Sequence, residues 1–277
     1  MMKKILTGIF IFLFFSTAFS QVFSTADEAI ESGNIKYENE DYEGAMADYT
    51  EATELDPEDP AAWFNLGLCE AKLEQYGSAI SDFSYAIELD SLNAKKWCQR
   101  GMTREKEEYA DEDEVIADYS KALELDPTLL LARYQRGRFY LNTEYYEDAI
   151  TDLTAYIDAS GDMLAEALYL RAAASNRLQF YDYDPMVDLE KAAGLGKRDQ
   201  HVIYEVGYRH WLEERWDKGI EAFSKVIEKD AKYKGAWRLR GLCKIGLLDK
   251  TGGCEDLHQA AALGSDAALE YINEHCK

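Results

Sequence analysis

The chain is poor in proline, in positive charge, in histidine and in long apolar runs, and each shortage excludes something. Four prolines in 277 residues leave room for many uninterrupted helices, which the abundant Ala, Leu, Glu and Tyr favour. Lys and Arg total 30 against 53 Asp and Glu, a formal charge of −23. Such a surface repels nucleic acid and anionic lipid, so neither is expected as a partner. The histidines at 201, 210, 258 and 275 are scattered, and no nucleophile-elbow sequence joins them to a Ser and an Asp. No glycine-rich phosphate loop is present either. The expectation is a protein without enzymatic activity, cofactor or metal. The acidic run Asp111 to Glu114 lacks the alternating ligands and central Gly of a calcium loop and reads as a solvated turn.

The one apolar run is N-terminal. Lys3 and Lys4 precede Ile5 to Phe15, and Ser16 to Ser20 then offer small residues before Gln21. That is the pattern of a secretory signal peptide over residues 1–20, cut after Ser20, and it implies a periplasmic or secreted protein. Eleven apolar residues fall short of the ~20 needed to span a bilayer, so no membrane insertion is expected.

What the sequence has in quantity is repetition. "TELDPEDPAAWFNLG" (Thr53 to Gly67) returns as "IELDSLNAKKWCQRG" (Ile87 to Gly101) and "LELDPTLLLARYQRG" (Leu123 to Gly137). The glycines 33, 67, 101, 137, 207 and 241 are spaced by 34, 34, 36, 70 and 34 residues. Ala173 falls at the missing midpoint if the long gap divides as 36 and 34. Two further series keep step: Ala52, Ala86, Ala122, Tyr156, Ala192, Val226, Ala260, and Tyr49, Phe83, Tyr119, Leu153, Leu189, Phe223, Leu257.

A period near 34 with an aromatic at position 4 (Trp63, Trp97, Trp237), Gly at 8, and Tyr, Ala, aromatic and Ala at 17, 20, 24 and 27 (Tyr42, Ala45, Tyr49, Ala52) resembles the tetratricopeptide repeat (TPR). The resemblance covers about residues 26 to 263. It implies an all-α, right-handed α-solenoid of about seven helix–turn–helix repeats. They fall near residues 26–59, 60–93, 94–129, 130–165, 166–199, 200–233 and 234–265, with a capping helix over 266–277. Small residues at 8 and 20 let the paired helices approach, and Asp-Pro ends the second helix. Copy three carries two extra residues in its turn, and Pro185 in copy five delays its second helix.

Five cysteines in an exported chain allow disulfides. Cys254 opens the last repeat's second helix and Cys276 ends the antiparallel cap, so a bridge between them would staple the end of the stack. Cys243 is a competing partner, Cys69 and Cys98 lie on neighbouring first helices, and a zinc site at Cys254, His258, His275 and Cys276 matches no familiar spacing.

The resemblance further implies that first helices line a concave groove. On them fall Lys95, Arg138, Arg171, Arg177 and Arg238, interleaved with Tyr134, Tyr204, Tyr208 and Trp211, while the second helices are acidic. Rigid aromatics beside guanidinium groups suit a protein or peptide partner carrying acidic groups. The competing reading is that Arg and Glu on adjacent helices neutralise one another. Asn34, Asn65 and Lys95 match three positions of the carboxylate clamp by which some TPR domains hold a peptide C-terminus, but Ile30 and Gln99 stand at the other two. A third reading makes the protein a structural envelope module that assembles through its acidic convex surface.

Overall fold

The computed structural model describes residues 23–178, 183–197 and 199–277; the expected signal peptide lies outside the described residues. Among the described residues there are fifteen helices and no strand. Helices α1 (Ala26–Glu38) and α2 (Tyr42–Leu55) form the first hairpin, and α3 (Pro60–Lys72) and α4 (Tyr76–Leu89) the second. The third is α5 (Ala94–Arg104) with α6 (Glu112–Leu125), and the fourth α7 (Leu130–Asn142) with α8 (Tyr146–Asp158). Then come α9 (Leu164–Leu178) with α10 (Pro185–Gly194), α11 (Gln200–Leu212) with α12 (Trp216–Lys229), and α13 (Lys234–Gly246) with α14 (Lys250–Ala262). A last helix, α15 (Asp266–His275), closes the chain.

Local chemistry sets these boundaries. Asp41, Asp59, Asp111, Asp184, Asp199 and Asp249 each accept a hydrogen bond from a backbone N–H in the first turn of the helix that follows. Pro60 and Pro185 open their helices, where a missing N–H costs nothing. Trp63, Trp97 and Trp237 each donate an indole N–H to a loop carbonyl six residues earlier, at 2.9–3.0 Å, which pins the inter-repeat turn.

Each helix packs on the next, and each odd-numbered helix also touches the next odd one, from α1–α3 through α11–α13. The odd helices therefore form the inner layer and the even helices the outer one, an α-solenoid. Hairpins close where side chains vanish: a Cβ on Gly241 would lie 2.8 Å from the Gly253 carbonyl oxygen, so α13 and α14 meet backbone to backbone.

One polar bridge recurs through the stack. Arg100 lays Nε and Nη2 on the two oxygens of Asp118 (2.9 and 2.7 Å) and gives Nη1 to Ser84 Oγ (2.9 Å). Arg136 does the same with Asp152 and Ser120, Arg171 with Asp188 and Thr154, and Arg240 with Asp256 and Ser224. Each bridge joins one inner helix to its own outer helix and to the outer helix of the preceding repeat. The aspartates are buried, so a regular part of the acidity expected on the convex face points inward instead. The bridge also corrects the register of copy five. Arg171 occupies the position of Arg136 and Arg240, which puts Ala172 rather than Ala173 in the glycine slot and divides the long gap evenly.

At the end of the stack, Cys254 and Cys276 are joined by a disulfide with their Cα atoms 5.7 Å apart. Cys69, Cys98 and Cys243 are free and buried, and burial pushes each thiol up to about 12. Alkylation of the native protein should label none of the five cysteines. Denaturant alone should expose three, and denaturant with reductant all five, as counted by intact mass.

Candidate functional site

The inner face is not uniform along its length. Over α9, α11 and the start of α13 it carries a run of aromatic rings linked through the buried Tyr204. Tyr169 lies 6.4 Å from His201, His201 5.9 Å from Tyr233, and Tyr233 5.0 Å from Tyr204. Tyr204 continues to Tyr208 at 6.4 Å and Tyr208 to Trp211 at 5.5 Å. His201 is exposed and Tyr169, Tyr208, Trp211 and Tyr233 are half-buried, so their edges reach solvent. Burial pushes the hydroxyls of Tyr169, Tyr204, Tyr208 and Tyr233 up, which leaves them protonated and able to donate.

Arg177 underlies this platform. Its guanidinium stands 4.6 Å from the Tyr208 ring and gives two hydrogen bonds, 2.7 and 2.8 Å, to the Glu205 carboxylate. Glu205 is only 2% exposed and also accepts from Asn176 at 2.9 Å, so the pair fixes α9 against α11 and holds the Tyr208 ring in place.

Most of the cations expected to line the groove are engaged within the chain. Arg138 pairs with Glu105 and donates to Gln135 at 3.0 Å; Arg171 belongs to the buried bridge with Asp188. Tyr134 and Tyr204, 7% and 8% exposed, are core residues: Tyr134 packs on Tyr156 and Tyr204 on Phe223. The expectation of groove contacts is corrected for Tyr134, Tyr204 and Arg171, because their side chains turn toward the outer helices. Lys95 is exposed and Arg238 half-buried, and among the described residues neither has an ion pair. Arg238 borders a hollow of about 720 Å³ formed with Tyr233, Lys234 and the α14–α15 turn. Tyr169, His201 and Tyr233 were not singled out from the sequence. Tyr169 has a signal there, since it lies midway between Tyr134 and Tyr204 once the register of copy five is set.

At the other end of the groove, the Asn34 side-chain carbonyl accepts from the Tyr49 hydroxyl at 2.7 Å, and Asn65 is half-buried. Nearby, Asp82 occupies the bridge position of Asp118 but has Leu66 in place of the arginine and Glu70 beside it. Burial first, then the Asp82 charge and a side-chain hydrogen bond shared with Asp82, push the Glu70 carboxyl up to about 8. The folded state thus keeps a proton that the unfolded chain releases near 4.5. Stability from this group is present below pH 4.5 and is lost as pH rises toward 8. Glu70→Gln should flatten that part of the profile, raising the urea midpoint at pH 8 more than at pH 5.

Comparison with known proteins agrees with this architecture. Residues 33–69 match a family described as TPR repeat, and residues 60–91 one described as tetratricopeptide repeat. The chain contains tetratricopeptide repeats. The fold of this TPR chain is similar to that of a tetratricopeptide repeat protein from Parabacteroides merdae, at TM-score 0.62 and 18% identity, over 91% of this chain and 99% of that one. It is also similar to pilF of Pseudomonas aeruginosa (TM-score 0.62, 14% identity, 76% and 94% covered). A third similar structure is YrrB, described as a TPR protein with an unusual peptide-binding site (TM-score 0.51, 22% identity, 69% and 97% covered). At these identities the likeness concerns the fold. No curated protein matches the chain. TPR proteins generally mediate protein–protein interactions, and the repeat is typically a non-enzymatic scaffold. Among the described residues no helix is long and apolar enough to cross a membrane.

Proposed function

We propose that this TPR protein is a non-enzymatic interaction scaffold that holds an extended peptide or protein segment along its inner groove. The observation that carries the reading is the aromatic platform of Tyr169, His201, Tyr208, Trp211 and Tyr233, rigidly backed by the buried Arg177–Glu205 pair. Such rings bury large apolar area at low entropic cost, and their hydroxyls satisfy a peptide backbone. Lys95 and Arg238, free of ion pairs among the described residues, meet acidic groups of the partner. Arg138 and Arg177 arrive neutralised, which shifts the main contribution from charge to ring burial. The residues at 1–20 support export before binding, with cleavage after Ser20. Assembly through the outer helices has less support, because the bridge aspartates point inward.

The test is affinity capture with residues 21–277 from an envelope fraction, repeated with groove substitutions (Tyr208→Ala with Trp211→Ala) and with outer-helix substitutions (Glu88→Lys with Glu124→Lys). Loss of the retained partner only with the groove pair supports the reading, and loss only with the outer pair refutes it.

A further inference from the structure

The Arg–Asp–Ser bridge is missing at one junction where its absence opens a cavity. In copy six the arginine position is Val206, the aspartate position is Ala222, and the preceding outer helix offers Glu190 in place of Ser or Thr. All three line a cavity of about 510 Å³ between α10 and α12, floored by α11. Leu189, Val202 and Ile203 make the walls apolar.

Polar groups gather at one end. His210 borders the cavity, and its Nδ1 is buried without a hydrogen-bond partner among the described residues. Lys218 also borders it and has no ion pair among the described residues, whereas Lys225 is held by Glu221 at 2.6 Å. Lys218 acts electrostatically on His210; burial first, then Arg215 and Lys218, push the imidazole down, so it is neutral near pH 7 and able to give one hydrogen bond. The lining also carries Glu190 and Glu221, and Glu213 and Asp217 act on His210, so the place for an anion is local: Lys218, which no carboxylate among the described residues holds, with the unpartnered imidazole.

We propose that this cavity is a binding site for a small amphiphile: an aliphatic body lying between α10 and α12, and a carboxylate head held by Lys218 and His210. The volume falls within the ~300–1,000 Å³ of ligand pockets, which are mostly apolar with a few convergent polar groups. The site is separate from the inner groove, since it lies between two outer helices. It stands where four other repeats keep a polar bridge, so the space that Arg, Asp and a hydroxyl side chain occupy there is left open to the cavity.

The experiment is calorimetric titration of the mature chain with dodecanoate below its micelle concentration, with 1-dodecanol as the uncharged control. One saturable site is expected. Lys218→Glu should weaken dodecanoate by about tenfold and leave dodecanol unchanged. Rebuilding the bridge with Glu190→Ser, Val206→Arg and Ala222→Asp should abolish binding of both while retaining or raising the melting temperature. Ala222→Phe, which puts an apolar ring into the middle of the cavity, gives the same readout if the rebuilt chain does not fold. Absence of saturable binding to the unaltered protein, or binding that survives both fillings, overturns the proposal.

Discussion

Asp118→Ala is expected to lower the unfolding free energy by about 3–5 kcal/mol, the largest effect of any single side chain considered. The Asp118 side chain is 2% exposed and receives both arms of Arg100 together with Nη1 of Arg104 at 2.7 Å. Its removal leaves two guanidinium groups in a site that water reaches poorly. The Ser84 hydroxyl loses its place in the bridge as well, so the junction between the second and third repeats loosens along with the third hairpin. Replacing all three partners with apolar residues of similar volume should cost less, because the penalty comes from charge left unpaired. Urea unfolding of Asp118→Ala beside an Arg100→Met, Arg104→Met, Asp118→Leu chain separates the two. The triple variant is expected to recover part of the loss.

The second large effect is local. Cys254→Ser with Cys276→Ser removes the bond closing a 22-residue separation, which in the chain-entropy account amounts to about 3 kcal/mol. A solenoid transmits stability mainly between neighbours, so the loss should concentrate in α14 and α15. Leu257, Ala260 and Ala268, packed with Tyr271 and Ile272, are the contacts that fray. Native-state hydrogen exchange should show α15 amides losing most of their protection while α1 to α8 keep theirs. Equal loss along the whole chain would mean that the repeats fold as one cooperative unit.

The hairpins were legible because each rests on local marks. The aromatic, Gly and Ala series name the close contacts, and Asp-Pro names the end of the second helix. The register of copy five was not, since it has no glycine. Three successive alanines, Ala172 to Ala174, are all buried and give no local reason to prefer one. That one-residue ambiguity misplaced Arg171 in the groove and hid Tyr169. The bridge was half visible: Arg stands immediately before Gly101, Gly137 and Gly241, yet its partners lie on two other helices. Arg138 and Glu105 are 33 residues apart, and only the stacking of α5 against α7 brings them together. Charge on a solenoid face is a property of neighbours, so counting cations on inner helices overstated what the groove leaves free. Aromatic rings are not neutralised in this way, and Tyr208 and Trp211 lie in contact, half-buried.

In the proposed function the aromatic inner surface, and not the acidic outer one, holds the partner. The direct measurement is the dissociation constant of the captured partner for two variants that keep the wild-type melting curve. Tyr208→Ala with Trp211→Ala is predicted to weaken binding by about 100-fold or more, the effect of removing a pair of central ring anchors. Glu88→Lys with Glu124→Lys on the outer helices is predicted to leave it within about twofold, as exposed charges usually do. An outer variant that loses the partner while the groove variant keeps it would contradict the account.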